Sequence, residues 1–514
     1  MTAIGDDAFF SCTGLESIAV ESGNTAYHSV GKCLIHTESK TLIRGCKNSV
    51  IPTDDSVTAI GDSAFFGCTR LTSITIPAGV TTIGEYAFYG CTGLTSITIP
   101  ASVTSIGNNA FDRCTGLETV TFAAGGKLTT IGGFAFYNCE GLTSITIPAN
   151  VTTIGARAFF GCHKLIEVYN LSTTLTITVG DAGNGDVGYY AKNVYTSTEG
   201  ESKLSATPDG YIFDVDVVQR YLVSYTGNST TLTLPADCNG HSYEIYQYAF
   251  YNRADINSIT IPASVTAIGD YAFAGCTGLT SITIPASVTT IGNDAFSGCT
   301  GLETVTFAAG SKLTAIGEYA FSGCTGLTSI TILASVTTIG DFAFYYCTGL
   351  ESIAVESGNT VYHSEGNCLI HTESKTLIRG CKNSVIPADN SVTTIGDRAF
   401  DYCTGLTSIT IPASVTAIGD RAFYCCTGLT SVIFAAGSKL TTIGDYAFGY
   451  CWGLTSIIIP ANVTTIGEYA FAGCTELTTI QYRGTEAQWS GITKGNRWDY
   501  GTGIYTVIYN YTGE

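Results

Sequence analysis

His28, Cys33, His36 and Cys46 supply the nitrogen and sulfur donors that zinc prefers, and the same set returns as His363, Cys368, His371 and Cys381. Their spacing argues against a shared ion, because Cys33 and His36 on an extended strand leave opposite faces. No metal or other cofactor is expected. Catalysis is not expected either, since neither a nucleophile elbow nor a dedicated acid partner accompanies these histidines. Oxidation is the remaining chemistry. A hairpin with its tip near Ser39 would set Cys33 roughly opposite Cys46, and Cys368 opposite Cys381, so a cross-strand disulfide in each hairpin stands beside the free-thiol reading.

The other cysteines fall into a file. Cys68, Cys91 and Cys114 are 23 residues apart, Cys139 follows after 25 and Cys162 after 23. The file resumes with Arg253 in the cysteine slot, then Cys276, Cys299, Cys324 and Cys347, and later Cys403, Cys426, Cys451 and Cys474. A period of this length is the signature of a solenoid, whose units bury a core only by stacking. Stacked coils would place equivalent cysteines ~4.8 Å apart with parallel Cα–Cβ vectors, whereas a disulfide needs Cβ atoms about 3.8 Å apart and turned toward each other. A ladder of small buried thiols is therefore expected, with one of the adjacent Cys425 and Cys426 pointing off it.

Each unit changes periodicity halfway. Leu94, Ile97 and Ile99 alternate with polar residues as in a half-buried strand, Pro100 ends it, and Val103 with Ile106 returns the chain toward the core. After Gly107, Ala110 and Phe111 should point inward from a single helical or 3₁₀ turn. An acidic row follows the coil glycine: Asp6, Asp62, Glu85, Asp270, Glu318, Asp341, Asp397, Asp420, Asp445 and Glu468. These residues are expected to cap the amides of their own turns rather than to bind calcium. The strand's outward side is a hydroxyl array: Ser73, Thr75, Ser96, Thr98, Thr119, Thr121, Ser144, Thr146, Ser281, Thr283, Ser408 and Thr410. That array is either the wet side of a sheet, a partner-binding face or, more remotely, an ice-ordering surface.

Composition bounds the rest. Only 13% of the 514 residues are charged while 45% are hydrophobic, so the chain is not disordered, and a net charge of −19 disfavours nucleic-acid and anionic-membrane partners. No apolar run is long enough to insert in a bilayer, and the opening residues carry no export signal. Glu16–Asp55 and Glu351–Asn390 are near copies that read as β-hairpin modules, with Leu34-Ile35 and Leu42-Ile43 flanking a polar tip. The expected organisation is a first array over 1–163 with its hairpin at about 16–55, a β-rich insertion over 164–248, a second array over 249–480 with its hairpin at about 351–390, and a cap over 481–514.

The pattern L-x-x-I-x-I-P-x-x-V-x-x-I-G-x-x-A-F-x-x-C, together with Tyr246-Gln-Tyr-Ala-Phe250 and Gly484-Thr-Glu-Ala-Gln-Trp489, resembles the BspA-like leucine-rich-repeat family of bacterial surface proteins. The resemblance implies a β-rich, right-handed leucine-rich-repeat superhelix at the cell surface or in the medium. It also implies a non-enzymatic recognition or adhesion scaffold for host matrix or cell-surface proteins or glycans, expected to be monomeric. A structural spacer whose binding is done by another domain is the alternative. Arg253 in the cysteine slot and Leu333 in place of proline depart from the pattern.

Overall fold

The computed structural model describes residues 3–5, 8–9, 12–197, 202–216 and 218–513. It divides into two compact units, Met1–Lys203 and Leu204–Glu514. In both, the regular coils contribute to three ladders that run across the coils. The first is made of four-residue strands such as Ser96–Ile99 and Thr119–Phe122, paired in parallel with Ser96 opposite Thr119 and Thr98 opposite Thr121. The second is made of two-residue strands such as Ser105–Ile106 and Thr130–Ile131. The third is a ladder of turns. There Tyr86, Phe88 and Gly90 donate their N–H groups to the carbonyls of Asn108, Ala110 and Asp112 at 3.0, 2.7 and 2.8 Å.

The turns are not helical, contrary to the expectation from spacing. The residue two places after the coil glycine sits at φ near +50 to +60° in coil after coil, as at Tyr86, Phe134, Tyr271 and Tyr446. A helical turn bonds along the chain, whereas this one aims its alternate N–H groups sideways at the neighbouring coil. The coils approach so closely here that a Cβ on Gly107 would lie 2.6 Å from the backbone of Gly84. Among the described residues the one helix is Glu486–Ser490, started by a reciprocal cap between Thr485 and Gln488.

Phenylalanine fills the interior behind the turns. Phe65, Phe88, Phe111, Phe136 and Phe159 stack nearly parallel at 5.0–5.2 Å, and Phe250, Phe273, Phe296 and Phe321 do the same at 5.1–5.2 Å. The cysteine file lies beside them. Cys114 Sγ donates to the Phe88 carbonyl at 3.1 Å, Cys299 to Phe273 at 3.1 Å and Cys451 to Phe423 at 3.1 Å. A thiol suits this position because it packs as a small hydrophobe yet gives the carbonyl of the preceding coil a second donor.

The inserted modules differ from simple hairpins. Each is a three-stranded antiparallel meander: Tyr27–Val30, Cys33–His36 and Thr41–Arg44 in the first unit, Tyr362–Glu365, Cys368–His371 and Thr376–Arg379 in the second. A third copy, Leu204–Ala206, Tyr211–Asp214 and Tyr221–Tyr225, carries the same bulge in its middle strand. The extra strand forms because Tyr27 and Tyr362 are buried and pack edge-on against His36 and His371. The last strand of each meander then pairs in parallel with the next coil. The expected 164–248 insertion is not one body: Glu167–Asn170 and Asn193–Tyr195 continue the first unit's parallel sheet, and Leu204 begins the second unit.

A meander interrupts the interior instead of projecting from it. In Cys368–His371, Leu369 joins the apolar cluster of the preceding coils while Cys368 and Ile370 join that of the following ones. It also lacks the turn that would hold the next coil, and one arginine replaces it. Arg379, 4% exposed, donates to the carbonyls of Arg398 and Asp401 at 3.2 Å each, while the Gly380 N–H takes that of Ala399. Arg44 does the same for Ser63 and Phe66. In the third copy the equivalent residue is Ser224, and the arginine has moved to the coil: Arg253 reaches back to the carbonyls of Tyr225 and Gly227 and is held by Asp255. That accounts for Arg253 in the cysteine slot.

Two outcomes follow. Replacing Arg379 by Ala strands two buried carbonyls and should cost about 2–4 kcal/mol, read as a lower denaturant midpoint, whereas Lys375→Ala at the exposed tip should leave it unchanged. Thiol titration of the native chain should report exposed Cys12 quickly and the partly exposed Cys425 slowly, and denaturation without reductant should release all 20 thiols. A count four short would mean that the hairpin cysteines are bridged.

Candidate recognition surface

Two rows of side chains on each unit face solvent with repeated chemistry. The strand hydroxyls occupy the first, as the alternation requires: Ser96, Thr98, Thr119, Thr121, Ser281, Thr283, Ser408 and Thr410 are exposed, and Ser144 and Thr146 are half-buried. Ser73 and Thr75 are exposed too, although their segment is not paired as a strand. This row is partly self-satisfied, with the Thr283 and Thr306 hydroxyls 2.8 Å apart. It is also interrupted, because Ile433 stands where Thr410 would have its neighbour.

The acidic row does not cap its own turns. Asp62 Oδ1 accepts from the Glu85 N–H at 2.7 Å, Asp270 from Asn293 at 2.7 Å, Asp397 from Asp420 at 2.9 Å, Asp420 from Asp445 at 2.8 Å and Asp445 from Glu468 at 2.6 Å. Each carboxylate is thus a strut to the coil that follows, and Asn108 and Asn293 serve equally well at 2.8 Å to Gly133 and Glu318. Sequence reasoning missed this partner because it lies 23 or 25 residues away. Asp6 falls outside the described residues.

The second exposed row went unrecognised in the sequence. Two places after each coil glycine stands an aromatic, arginine or small polar residue in the left-handed conformation, which turns its side chain outward. Beside this row in the first unit, five places after the coil glycine, Phe66 and Tyr89 stack at 4.6 Å and Tyr137 and Phe160 at 5.6 Å, and the Arg113 and Arg157 guanidinium groups lie 6.0 and 5.9 Å from the Tyr89 and Phe160 rings. In the second unit Tyr248 and Tyr271 stack at 4.9 Å, and Tyr446 and Tyr469 at 4.8 Å, with Arg421 5.2 Å from the Tyr446 ring. Arg398 lies 4.5 Å from the ring of Phe342, and Tyr346 meets Tyr402 at 4.6 Å. Within the row Tyr86 is 39% exposed while Phe134, Tyr271, Tyr446 and Tyr469 are half-buried, and of the rings that flank it Tyr346, Tyr450 and Tyr500 are 40%, 39% and 60% exposed. A left-handed non-glycine residue costs about 1–3 kcal/mol, and this edge repeats it along both arrays. The visible signal was the recurrence of Tyr, Phe and Arg at that place.

The hairpin histidines and cysteines do not converge on an ion. His28 and His36 pair through Nδ1 with Thr37 and Ser39 at 3.0 and 2.9 Å, and Cys33 and Cys46 stand as free thiols. The second set repeats this, with Cys368 Sγ on the Gly366 carbonyl and Cys381 Sγ on that of Glu351. Among the described residues no three His, Cys, Asp or Glu side chains are grouped to hold a metal, and no helix is long and apolar enough to cross a membrane. Burial pushes the ladder thiols upward, Cys276 and Cys474 to about 12, away from the reactive thiolate.

Asp401 is a buried carboxylate set among the arginines of this edge. Burial raises its pKa to about 7 against the lowering pull of Arg379, Arg398 and Arg421. Because the folded value lies above the unfolded one near 3.8, its contribution is full below about pH 4 and is lost as pH rises toward 7. Asp401→Asn should therefore match the parent in denaturant midpoint at pH 4 and exceed it increasingly up to pH 8. A difference that does not vary with pH would contradict this environment.

The repeat geometry has relatives of known structure. The chain is 24% identical, with a TM-score of 0.36, to a leucine-rich cell surface protein of Faecalibacterium prausnitzii, covering 92% of this chain and 99% of that one. It is 25% identical, with a TM-score of 0.30, to a leucine-rich repeat protein of Bacteroides ovatus, covering 94% and 97%. The pneumococcal vaccine antigen PcpA is 16% identical at a TM-score of 0.39, covering 97% and 89%. No curated protein matches the sequence. Six copies of the BspA type leucine-rich repeat region match residues 39–166, 243–368 and 374–490, well over half of the length. By that coverage the chain belongs to the BspA type leucine-rich-repeat family.

Proposed function

We propose that this protein is a non-enzymatic recognition scaffold of the cell surface that binds protein or glycan partners along its turn edge. The observation that carries the reading is the file of half-buried to exposed tyrosine and phenylalanine rings along the turn edge, interleaved with arginine and set on or beside left-handed residues. Flat rings stack on sugar faces and on peptide side chains, and an arginine lying along a ring adds directional donors at little entropic cost. Repetition at each coil makes the contact multivalent, so weak sites gain by linkage. The hydroxyl sheet is the wet side of the solenoid in this reading, since its groups already partly bond one another. A relative described as a cell surface protein supports the location.

The test is binding of the 514-residue chain to a glycan array and to immobilised fibronectin. Replacing Arg421, Tyr446 and Tyr469 together by Ala should weaken the strongest interaction at least tenfold, while Ser408→Ala with Thr410→Val should not change it. Inertness of the parent across both panels would favour a spacer. Loss confined to the hydroxyl variant would move the interface to the strands.

A further inference from the structure

Where the second meander interrupts the turn ladder, a cleft of about 430 Å³ opens between the coil ending at Tyr346 and the coil beginning at Gly396. In regular coils the alternate turn N–H groups find carbonyls one coil on, as Tyr319, Phe321 and Gly323 find Asp341, Ala343 and Tyr345 at 2.8–3.0 Å. Among the described residues, the corresponding N–H groups of Phe342, Phe344 and Tyr346 have no acceptor. The Asp341 carboxylate lacks the amide that Asp62, Asp270, Asp397, Asp420 and Asp445 accept, and on the far wall the Asp397 carbonyl has no donor among the described residues. Arg379, lining the cleft and 4% exposed, has an Nε without an acceptor.

We propose that this cleft binds a short peptide segment of a partner protein, which completes the interrupted ladder with its own backbone. The donors lie on alternate residues, the spacing at which an extended chain offers carbonyls on one side. The first residue of the segment gives its N–H to Asp341 and its carbonyl to Phe342, and the third and fifth give carbonyls to Phe344 and Tyr346. The third occupies the place of the coil alanine and has to be small. Asp341 and Asp397 on the walls balance Arg379 and Arg398, so the site suits a neutral backbone better than a free anion. The first unit carries a second cleft of about 450 Å³ at its own meander, lined by Ile4, Phe9, Tyr27, Ile43, Arg44 and Asp62. The inference is independent of the aromatic edge because it rests on backbone donors.

The probe is a fluorescein-labelled, terminally blocked copy of residues 270–275, a turn of this chain with alanine at the third place. Fluorescence anisotropy with the full chain should show saturable binding of two equivalents. Ile378→Trp, which fills the second cleft from an exposed position, should leave one equivalent, and adding Ile43→Trp should leave none, with circular dichroism unchanged. Should the tryptophan variants misfold, Asp341→Ala should still weaken the second site several-fold. A peptide with Trp at its third place should not bind, and Arg421→Ala with Tyr446→Ala should leave both sites intact. Absence of saturable binding, or binding unaffected by filling both clefts, overturns the proposal. Self-association of the parent chain that Ile378→Trp abolishes would overturn it in favour of a second copy as the occupant.

Discussion

The lateral hydrogen bond from a turn N–H to the carbonyl one coil on is the constraint from which the rest of the architecture follows. A single coil cannot satisfy its turn internally, because three alternate N–H groups point away from it. Within the array an identical turn alongside, in register, receives them. This requirement explains why the same short motif recurs so uniformly, why the coil glycine tolerates no Cβ, and why the residue two places later accepts a left-handed backbone. The strain is offset by a bond that no right-handed turn could make at that spot. It is also what throws an aromatic or arginine side chain outward, so the exposed edge is a by-product of stacking before it is anything else.

The interruptions confirm the rule by how they are repaired. A meander offers strands to the sheet but no turn to the turn ladder, leaving the next coil's carbonyls without donors. Arg44 and Arg379 resolve this with a planar fork that spans two carbonyls at once, a task for which a lysine's single ammonium is poorly shaped. The third meander shows that the position of the guanidinium matters less than its presence: with Ser224 on the strand, Arg253 reaches across from the coil. What no arginine repairs is the opposite wall, where the preceding coil's donors remain, and the two walls therefore differ in chemistry.

Much of this was written in the order of residues. The 23- and 25-residue spacing, the inward Ala-Phe pair, the β-branched alternation and the buried thiol ladder all follow from composition and period, because burial is what periodicity reports. The turn conformation was not legible: a helical turn and a left-handed one bury Ala110 and Phe111 at the same spacing, and the difference lies in where the N–H groups go. For the same reason Asp62 looked like a cap of its own turn, since its real partner, the Glu85 amide, becomes a neighbour only once the register is fixed. Tyr27 gave no strand signal because its extended segment is held by contact with His36 and by its hydroxyl, which accepts the Ile4 N–H at 3.1 Å.

The contrast between the two exposed rows shows how function separates from scaffold in such a repeat. On the strand face, Ser and Thr are what an alternating strand needs on its wet side, and their hydroxyls can turn to one another, so their regularity carries little information. On the turn edge the backbone requirement is met by any residue that tolerates the left-handed region, and Asn or Asp meets it at least cost, as at Asn109 and Asp294. Bulky Tyr, Phe and Arg at Tyr86, Phe134, Arg157, Tyr319, Phe342, Arg398 and Tyr469 are therefore not what stacking alone would select. A choice that works against local conformational preference, repeated along both arrays and left at least half-open to solvent, is better explained by what the side chains touch than by what they hold together.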